Sequence, residues 1–379
     1  MLNRLLCFFL SFVVLLTCIG VVGKAVDIGI SAESAVVMIA DTRQLVFEKN
    51  AYEKRGIAST TKIMSSIIAL ESGKTHLTTT VKYEDIAVEG TSLGLKAGDK
   101  VSLMTLIKGM LLSSGNDAAN VTATFVAGDK ESFAKLMNDK AKEIGMNSTN
   151  FVNPSGLTED GHYSTAYDMA LLGSYAIKNP VFSSICSMKK CSISYGERGS
   201  ATLYNHNKFL SYYDGAFGIK TGFTKAAGRC LVTAAQRDGV TLVCVTLDAP
   251  DDWHDHEKLM EHAFSRIQTY KHKTSTPRIA VTGSDKTHIS TDVSREIIIP
   301  YVGEIPQITT TFYIPSFLYA GVKKGDVVGE AIVSCNSEEM YRIPLISKEN
   351  TDFKVITESN KPIAKFKEFL RKGLSLRQT

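Results

Sequence analysis

Ala58-Ser59-Thr60-Thr61-Lys62-Ile63-Met64-Ser65-Ser66-Ile67-Ile68-Ala69-Leu70 is the stretch on which the reading of this chain turns. Ile63, Met64, Ile67, Ile68 and Leu70 recur at helical spacing. Ser59 stands where a helix start favours a hydroxyl, and Gly73 ends the run, so an amphipathic helix is predicted. A separation of three places the Ser59 hydroxyl and the Lys62 ammonium on one face, within reach of each other. That pairs a nucleophile with a base. The blander reading is an N-cap serine beside a solvated lysine. The spacing itself is cheap, because Ser132 with Lys135 and Ser187 with Lys190 repeat it.

Upstream, residues 34–40 and 45–48 read as strands about the turn Asp41-Thr42-Arg43-Gln44. Downstream the pattern stays helical to about residue 179, most clearly at 103–112, 117–126, 133–144 and 165–176. Strand signals return at 230–235 and 241–247 around Arg237-Asp238-Gly239-Val240, where Asp-Gly marks a hairpin that sets Thr233 opposite Cys244. A last helix is expected at 259–267, and the polar stretch 271–277 reads as a linker. Beyond it, β-branched runs at 296–300, 308–314 and 327–333 imply a small β-rich domain at 277–357. Strands, helices, strands, helix and a β-module describe an α+β domain with an appendage.

With 379 residues, 44% hydrophobic, 22% charged and only 9 prolines, the composition excludes a disordered tail protein, a collagen-like repeat and a multispan membrane protein. The length suits two domains, or one large and one small. The net charge of +4 is unevenly spread: Lys361, Lys365, Lys367, Arg371, Lys372 and Arg377 face one acid, Glu368, near the C-terminus. The rest is close to neutral and has no basic stripe, so nucleic acid is not an expected partner. Arg4, the uncharged apolar run 5–22 and Gly23-Lys24-Ala25 read as a secretory signal over residues 1–25, an uncleaved anchor being the alternative by length. Either way the body is expected to be exported. In the tail, 361–379, Ile363, Phe366, Phe369, Leu370 and Leu374 recur at helical spacing among the cations. We read this as an interfacial helix at the outer face of the membrane, in preference to a solvated basic tail. Five scattered cysteines beyond the leader are not a disulfide framework. Cys230 and Cys244 read as buried fillers, while Cys186 and Cys191 are close enough to bridge.

Two further motifs join the first. Ser114-Gly115-Asn116 lies between two predicted helices, where a loop can push a hydroxyl and an amide into a cleft; alternatively it is a turn whose polar groups cap their neighbours. Lys220-Thr221-Gly222 supplies a cation, a hydroxyl and a residue with no Cβ to obstruct a substrate backbone, or else is an edge lysine ending in a turn. The ordered set Ser-x-x-Lys, Ser-x-Asn, Lys-Thr-Gly resembles the signature of the active-site-serine penicillin-binding and β-lactamase families. The residues around them resemble the low-molecular-mass D-alanyl-D-alanine carboxypeptidases. They include Phe151-Val152-Asn153-Pro154-Ser155-Gly156-Leu157 and His162-Tyr163-Ser164-Thr165-Ala166-Tyr167-Asp168-Met169. The resemblance runs from about residue 33 to 270 and continues weakly through Gly321-Val322-Lys323-Lys324-Gly325-Asp326.

The resemblance implies a serine D,D-peptidase domain over 26–272, an antiparallel sheet flanked by helices plus an all-α subdomain, with no cofactor and no metal. It implies that Ser59 attacks the carbonyl between two terminal D-alanines of a peptidoglycan stem peptide, Lys62 taking the proton, and that β-lactam antibiotics acylate the same serine. Ser114 would relay a proton to the leaving D-alanine, Asn116 would hold the peptide amide, and Lys220 with Thr221 would meet the carboxylate. Gly222 would leave room for the substrate, and the amides of Ser59 and Phe223 would form the oxyanion hole. A free lysine is nearly all protonated at neutral pH. A second cation such as Lys220 about 4 Å away contributes roughly 4 kcal/mol at an effective dielectric near 20, with desolvation added to it. One departure stands out. Some relatives carry a carboxylate-gripping arginine after the last core strand, and here residues 248–256 contain none.

Competing motifs weigh less. Gly90-Thr91-Ser92-Leu93-Gly94 matches a nucleophile elbow, but a turn, not a helix, follows it. His254, His256 and His262 suggest zinc, yet residues two apart do not share a helix face. A β-lactamase of the same fold, or a catalytically vestigial sensor of wall or drug, remain the alternative functions.

Overall fold

The computed structural model describes residues 28–354 and 366–368. The secretory signal expected at 1–25, and the tail apart from 366–368, lie outside the described residues. The described residues divide into two units, 28–38 with 47–265 and 39–46 with those from 266 onward.

In the first unit β1 (Ser34–Ile39), β2 (Leu45–Lys49), β3 (Ala216–Thr224), β4 (Gly228–Arg237) and β5 (Val240–Leu247) form one sheet in the order β2-β1-β5-β4-β3. All six residues of β1 and all eight of β5 are buried. Alternate strand residues point to opposite faces, so burial of every residue means that both faces are covered. The Asp238-Gly239 turn closes β4 on β5 with Thr233 opposite Cys244, the register read from the sequence. Edge strand β3 pairs antiparallel with β4, placing Gly222 opposite Cys230 and Phe223 opposite Arg229.

Its longest helices among the described residues are α1 (Lys62–Glu71), α2 (Leu103–Ser113), α3 (Asn116–Ala127), α4 (Lys130–Ile144), α5 (Ala166–Ala176) and α6 (Asp252–Phe264). α1 differs from the amphipathic helix expected. A 3₁₀ turn, Ala58–Thr61, precedes it, and every residue from Lys62 to Ala69 is buried. The small polar Ser65 and Ser66 let α2, α3, α4 and α5 close around it. Ser65 Oγ donates to the Pro154 carbonyl at 2.6 Å, which satisfies it inside the core.

α6 begins seven residues before the expected 259, because its first two turns bury polar side chains that periodicity does not count. Asp255 accepts from Ser31 N, Ser31 Oγ and Ala32 N. His256 sits between the Thr233 and Thr246 hydroxyls, at 2.8 and 2.9 Å. Burial lowers this histidine to about 3, so it is a neutral core residue. Cys186 and Cys191 are free thiols, as are Cys230, Cys244 and Cys335.

The second unit is β-rich. A six-stranded sheet buries Ile279, Ile289, Val333, Ile343 and Leu345. Residues 271 and 272, read as linker, lie in strand Gln268–His272, which pairs antiparallel with Ile297–Tyr301. Among the described residues no helix is long and apolar enough to cross a membrane.

Candidate active site

Ser59 stands on a turn that the chain reaches through a left-handed residue. Ala58 has φ +45°, an uncommon conformation for a residue with a Cβ. It delivers Ser59 to the mouth of a cleft while Lys62 enters the core. Lys62 is fully buried, and its Nζ lies 2.9 Å from Ser59 Oγ, 2.7 Å from Asn116 Oδ1 and 2.6 Å from the Ser155 carbonyl. An ammonium has three N–H groups for these three acceptors. A neutral amine has two and one lone pair. It can keep the Asn116 and Ser155 bonds and turn the lone pair on the Ser59 hydroxyl, which is the geometry of a base at its substrate proton.

Burial, then the Lys220 cation, holds Lys62 well below the ordinary lysine range, and Asp117 opposes them. Both causes named from the sequence act here, and burial leads because α1 is enclosed on all sides, which the sequence does not show. Lys220, on β3, is 1% exposed, donates to the Thr221 carbonyl at 2.8 Å and is lowered by burial to about 7.

Ser114 follows α2 in the left-handed conformation, φ +60°, with its N–H donating to the Gly109 carbonyl. Strain of this kind persists only where packing over-determines it. The next turn starts α3, so the Asn116 side chain bridges Lys62 and the Glu89 carbonyl, to which Nδ2 donates at 2.8 Å.

Gly222 meets the Ser59 turn from the other side. A Cβ there would sit 3.0 Å from Ser59 N and 3.1 Å from Thr60 N, tighter than ordinary contact, so glycine lets β3 approach these amides without shifting the turn.

These elements border a cleft of about 720 Å³. Of the residues picked from the sequence, Ser59, Ser114, Thr221, Gly222 and Phe223 line it, while Lys62, Asn116 and Lys220 lie beneath. Sequence reasoning missed Arg229, Asn205, His206 and Trp253 in the lining. The β3–β4 register puts Arg229 opposite Phe223, a pairing that the sequence reading did not contain. Its Nε and Nη2 donate to Asp252 Oδ1 at 3.0 and 2.7 Å, and its guanidinium lies 6.0 Å from the Trp253 ring centre. His206 is pushed down by burial and by Lys220.

The competing nucleophile has another task. Ser92 Oγ donates to buried Asp117 at 2.7 Å, and Asp117 also accepts from the Leu93 and Leu95 amides.

Residues 22–251 match the D-alanyl-D-alanine carboxypeptidase family, and residues 264–352 match the C-terminal domain of penicillin-binding protein 5. The D-alanyl-D-alanine carboxypeptidase DacF of Bacillus subtilis is 30% identical over 332 residues, covering 84% of this chain and 85% of the relative. DacC of Escherichia coli is 32% identical over 344 residues, 85% of each chain. The crystal structure of the D-alanyl-D-alanine carboxypeptidase DacD from Francisella tularensis superposes with a TM-score of 0.62 at 27% identity, over 88% of this chain and 97% of that one. With a family match over most of its length and full-length relatives at this identity, the chain belongs to the D-alanyl-D-alanine carboxypeptidase family of serine peptidases.

Proposed function

We propose that this protein removes the terminal D-alanine from peptidoglycan stem pentapeptides by acyl transfer at Ser59, and that penicillin acylates the same hydroxyl. The observation that carries this reading is Lys62 Nζ held by three acceptors, one of them Ser59 Oγ, in a buried position beside a second buried lysine. As Ser59 Oγ bonds to the scissile carbonyl carbon, its proton passes to Lys62 Nζ, and the carbonyl oxygen becomes an oxyanion facing the Ser59 and Phe223 amides. The C–N bond then breaks. A proton travels through Ser114 to the leaving amine, and water attacks the ester to release the shortened peptide and restore Ser59. Asn116 keeps Lys62 in register and presents its amide to the substrate backbone.

For the carboxylate of the leaving D-alanine, the reading departs from Lys220 with Thr221. Lys220 lies beneath the lining, whereas Arg229 and Thr221 both border the cleft. Arg229 thereby supplies from β4 the cation that residues 248–256 lack.

Mass spectrometry after benzylpenicillin, on the wild-type chain and Ser59→Ala, tests the reading together with release of D-alanine from a pentapeptide. A long-lived adduct at Ser59 with D-alanine release supports it. Drug turnover within seconds would move the assignment to a β-lactamase, and labelling without D-alanine release to a sensor. The leader over 1–25 and the tail over 361–379 support export and attachment to the outer membrane face. Flotation with anionic vesicles, with and without residues 358–379, checks the tail.

A further inference from the structure

Behind the Ser59 turn, the segment 151–164 forms a brace. Gly156 packs so closely that a Cβ would collide with the Ala58 carbonyl oxygen and stand 2.6 Å from Thr61 Oγ1. His162 lies in this brace, largely buried, with its ring edge-on to Phe151 at 5.9 Å between centres.

The hydrogen bonds around His162 fix its proton. The Val152 amide donates to Nδ1 at 3.1 Å, so Nδ1 carries no hydrogen. Burial, with the Lys62 charge adding to it and Glu159 opposing, lowers the ring to about 4, so at neutral pH it is uncharged. Its single N–H is therefore on Nε2 and donates to Thr61 Oγ1 at 2.9 Å. The Thr61 hydroxyl, now an acceptor, passes its own hydrogen to the Ala58 carbonyl at 2.8 Å. Every link has one direction. A peptide unit is planar and trans, so a bond that pins the Ala58 C=O also aims the Ser59 N–H the opposite way. Ser59 N faces β3 at Gly222, the side from which the substrate carbonyl must be met.

We propose that His162 is a positioning residue for acyl transfer: through Thr61 it holds the Ala58–Ser59 peptide and so aims the amide that receives the oxyanion. This rests on the acyl-transfer reading of Ser59. Because the oxyanion draws on the Ser59 amide more strongly than the ground-state carbonyl does, losing the aim lowers kcat and leaves KM nearly unchanged.

The test uses the whole chain in six forms: wild type, His162→Leu, His162→Gln, Thr61→Val, Thr61→Ser and the double variant His162→Leu with Thr61→Val. Steady-state D-alanine release gives kcat and KM, and the saturating rate of benzylpenicillin acylation gives an independent readout. His162→Leu and Thr61→Val should each lower kcat and the acylation rate about tenfold with KM within about twofold, a fraction of what deleting an oxyanion donor costs. The double variant should be no slower than either single one, because both cut the same chain. Thr61→Ser and His162→Gln, which keep a donor in place, should recover most of the rate. Multiplicative losses in the double variant, a change confined to KM, or unchanged rates in both single variants overturn the proposal. Where His162→Leu does not fold, the nearly isosteric Thr61→Val against Thr61→Ser decides alone. Failure of wild type to form any adduct at Ser59 would sink the acyl-transfer reading instead, which separates the two.

Discussion

Ser59 with Lys62 and Ser132 with Lys135 share a spacing and a helix start, yet they live in opposite surroundings. Ser132 Oγ donates to Asp129 Oδ2 at 3.0 Å in an N-cap, and both Ser132 and Lys135 are exposed. The Lys135 side chain stands in water. Lys62 has lost that water, and in its place are two oxygen acceptors, the Ser59 hydroxyl and a nearby cation. The shared spacing fixes position alone, and burial is what lowers Lys62.

The largest effect is expected at Ser59. Ser59→Ala should abolish the penicillin adduct and D-alanine release, whereas Ser132→Ala should leave both at wild-type levels by mass spectrometry and product assay. Next is the base. Lys62→Met should slow acylation by roughly 10³-fold, within the range for loss of a general base, while far-UV circular dichroism stays native. An acylation rate within threefold of wild type would remove Lys62 from the mechanism.

Arg229→Gln sharpens the contrast at the cleft's other wall. Loss of a charge-assisted hydrogen bond to the substrate carboxylate should raise KM about 10- to 100-fold with a smaller change in kcat. An unchanged KM would leave the carboxylate to Thr221 alone.

Buried lysines also make stability depend on pH. Lys220 is lowered to about 7 from an ordinary 10.5, so between these values the unfolded chain binds a proton there that the native chain does not. Stability contributed by this site therefore rises with pH across that window, and the burial penalty is full below it. Lys220→Met should flatten the rise in melting temperature between pH 7 and 10 relative to wild type. At exposed Lys135 the same substitution should change stability by less than about 0.5 kcal/mol at any of these pH values, as for most surface changes.

Candidate residues chosen by identity and spacing could be named before the fold was known. Ser59, Ser114 and Thr221 carry hydroxyls that need only be brought to one cleft, and the three motifs name them. Arg229 was not legible, because strand β3, through Ala216-Phe217-Gly218-Ile219, lacks the β-branched density that announces a strand, and without β3 the register that places Arg229 is missing. His162 was visible only as part of a familiar run of residues. Its hydrogen-bond directions depend on Val152, Thr61 and Ala58, which the chain brings together from separate segments.

Local periodicity, turn chemistry and side-chain type were enough for the α+β order, the Asp-Gly hairpin register and the choice of candidate residues. Only the tertiary structure decided which Ser-x-x-Lys pair was taken out of water, how Ala58 and Gly222 bring amide groups together, and which arginine borders the cleft. Those outcomes depend on burial and on contacts between distant segments. Desolvation, which separates a base from a solvated cation here, belongs to the packed chain and to no residue within it.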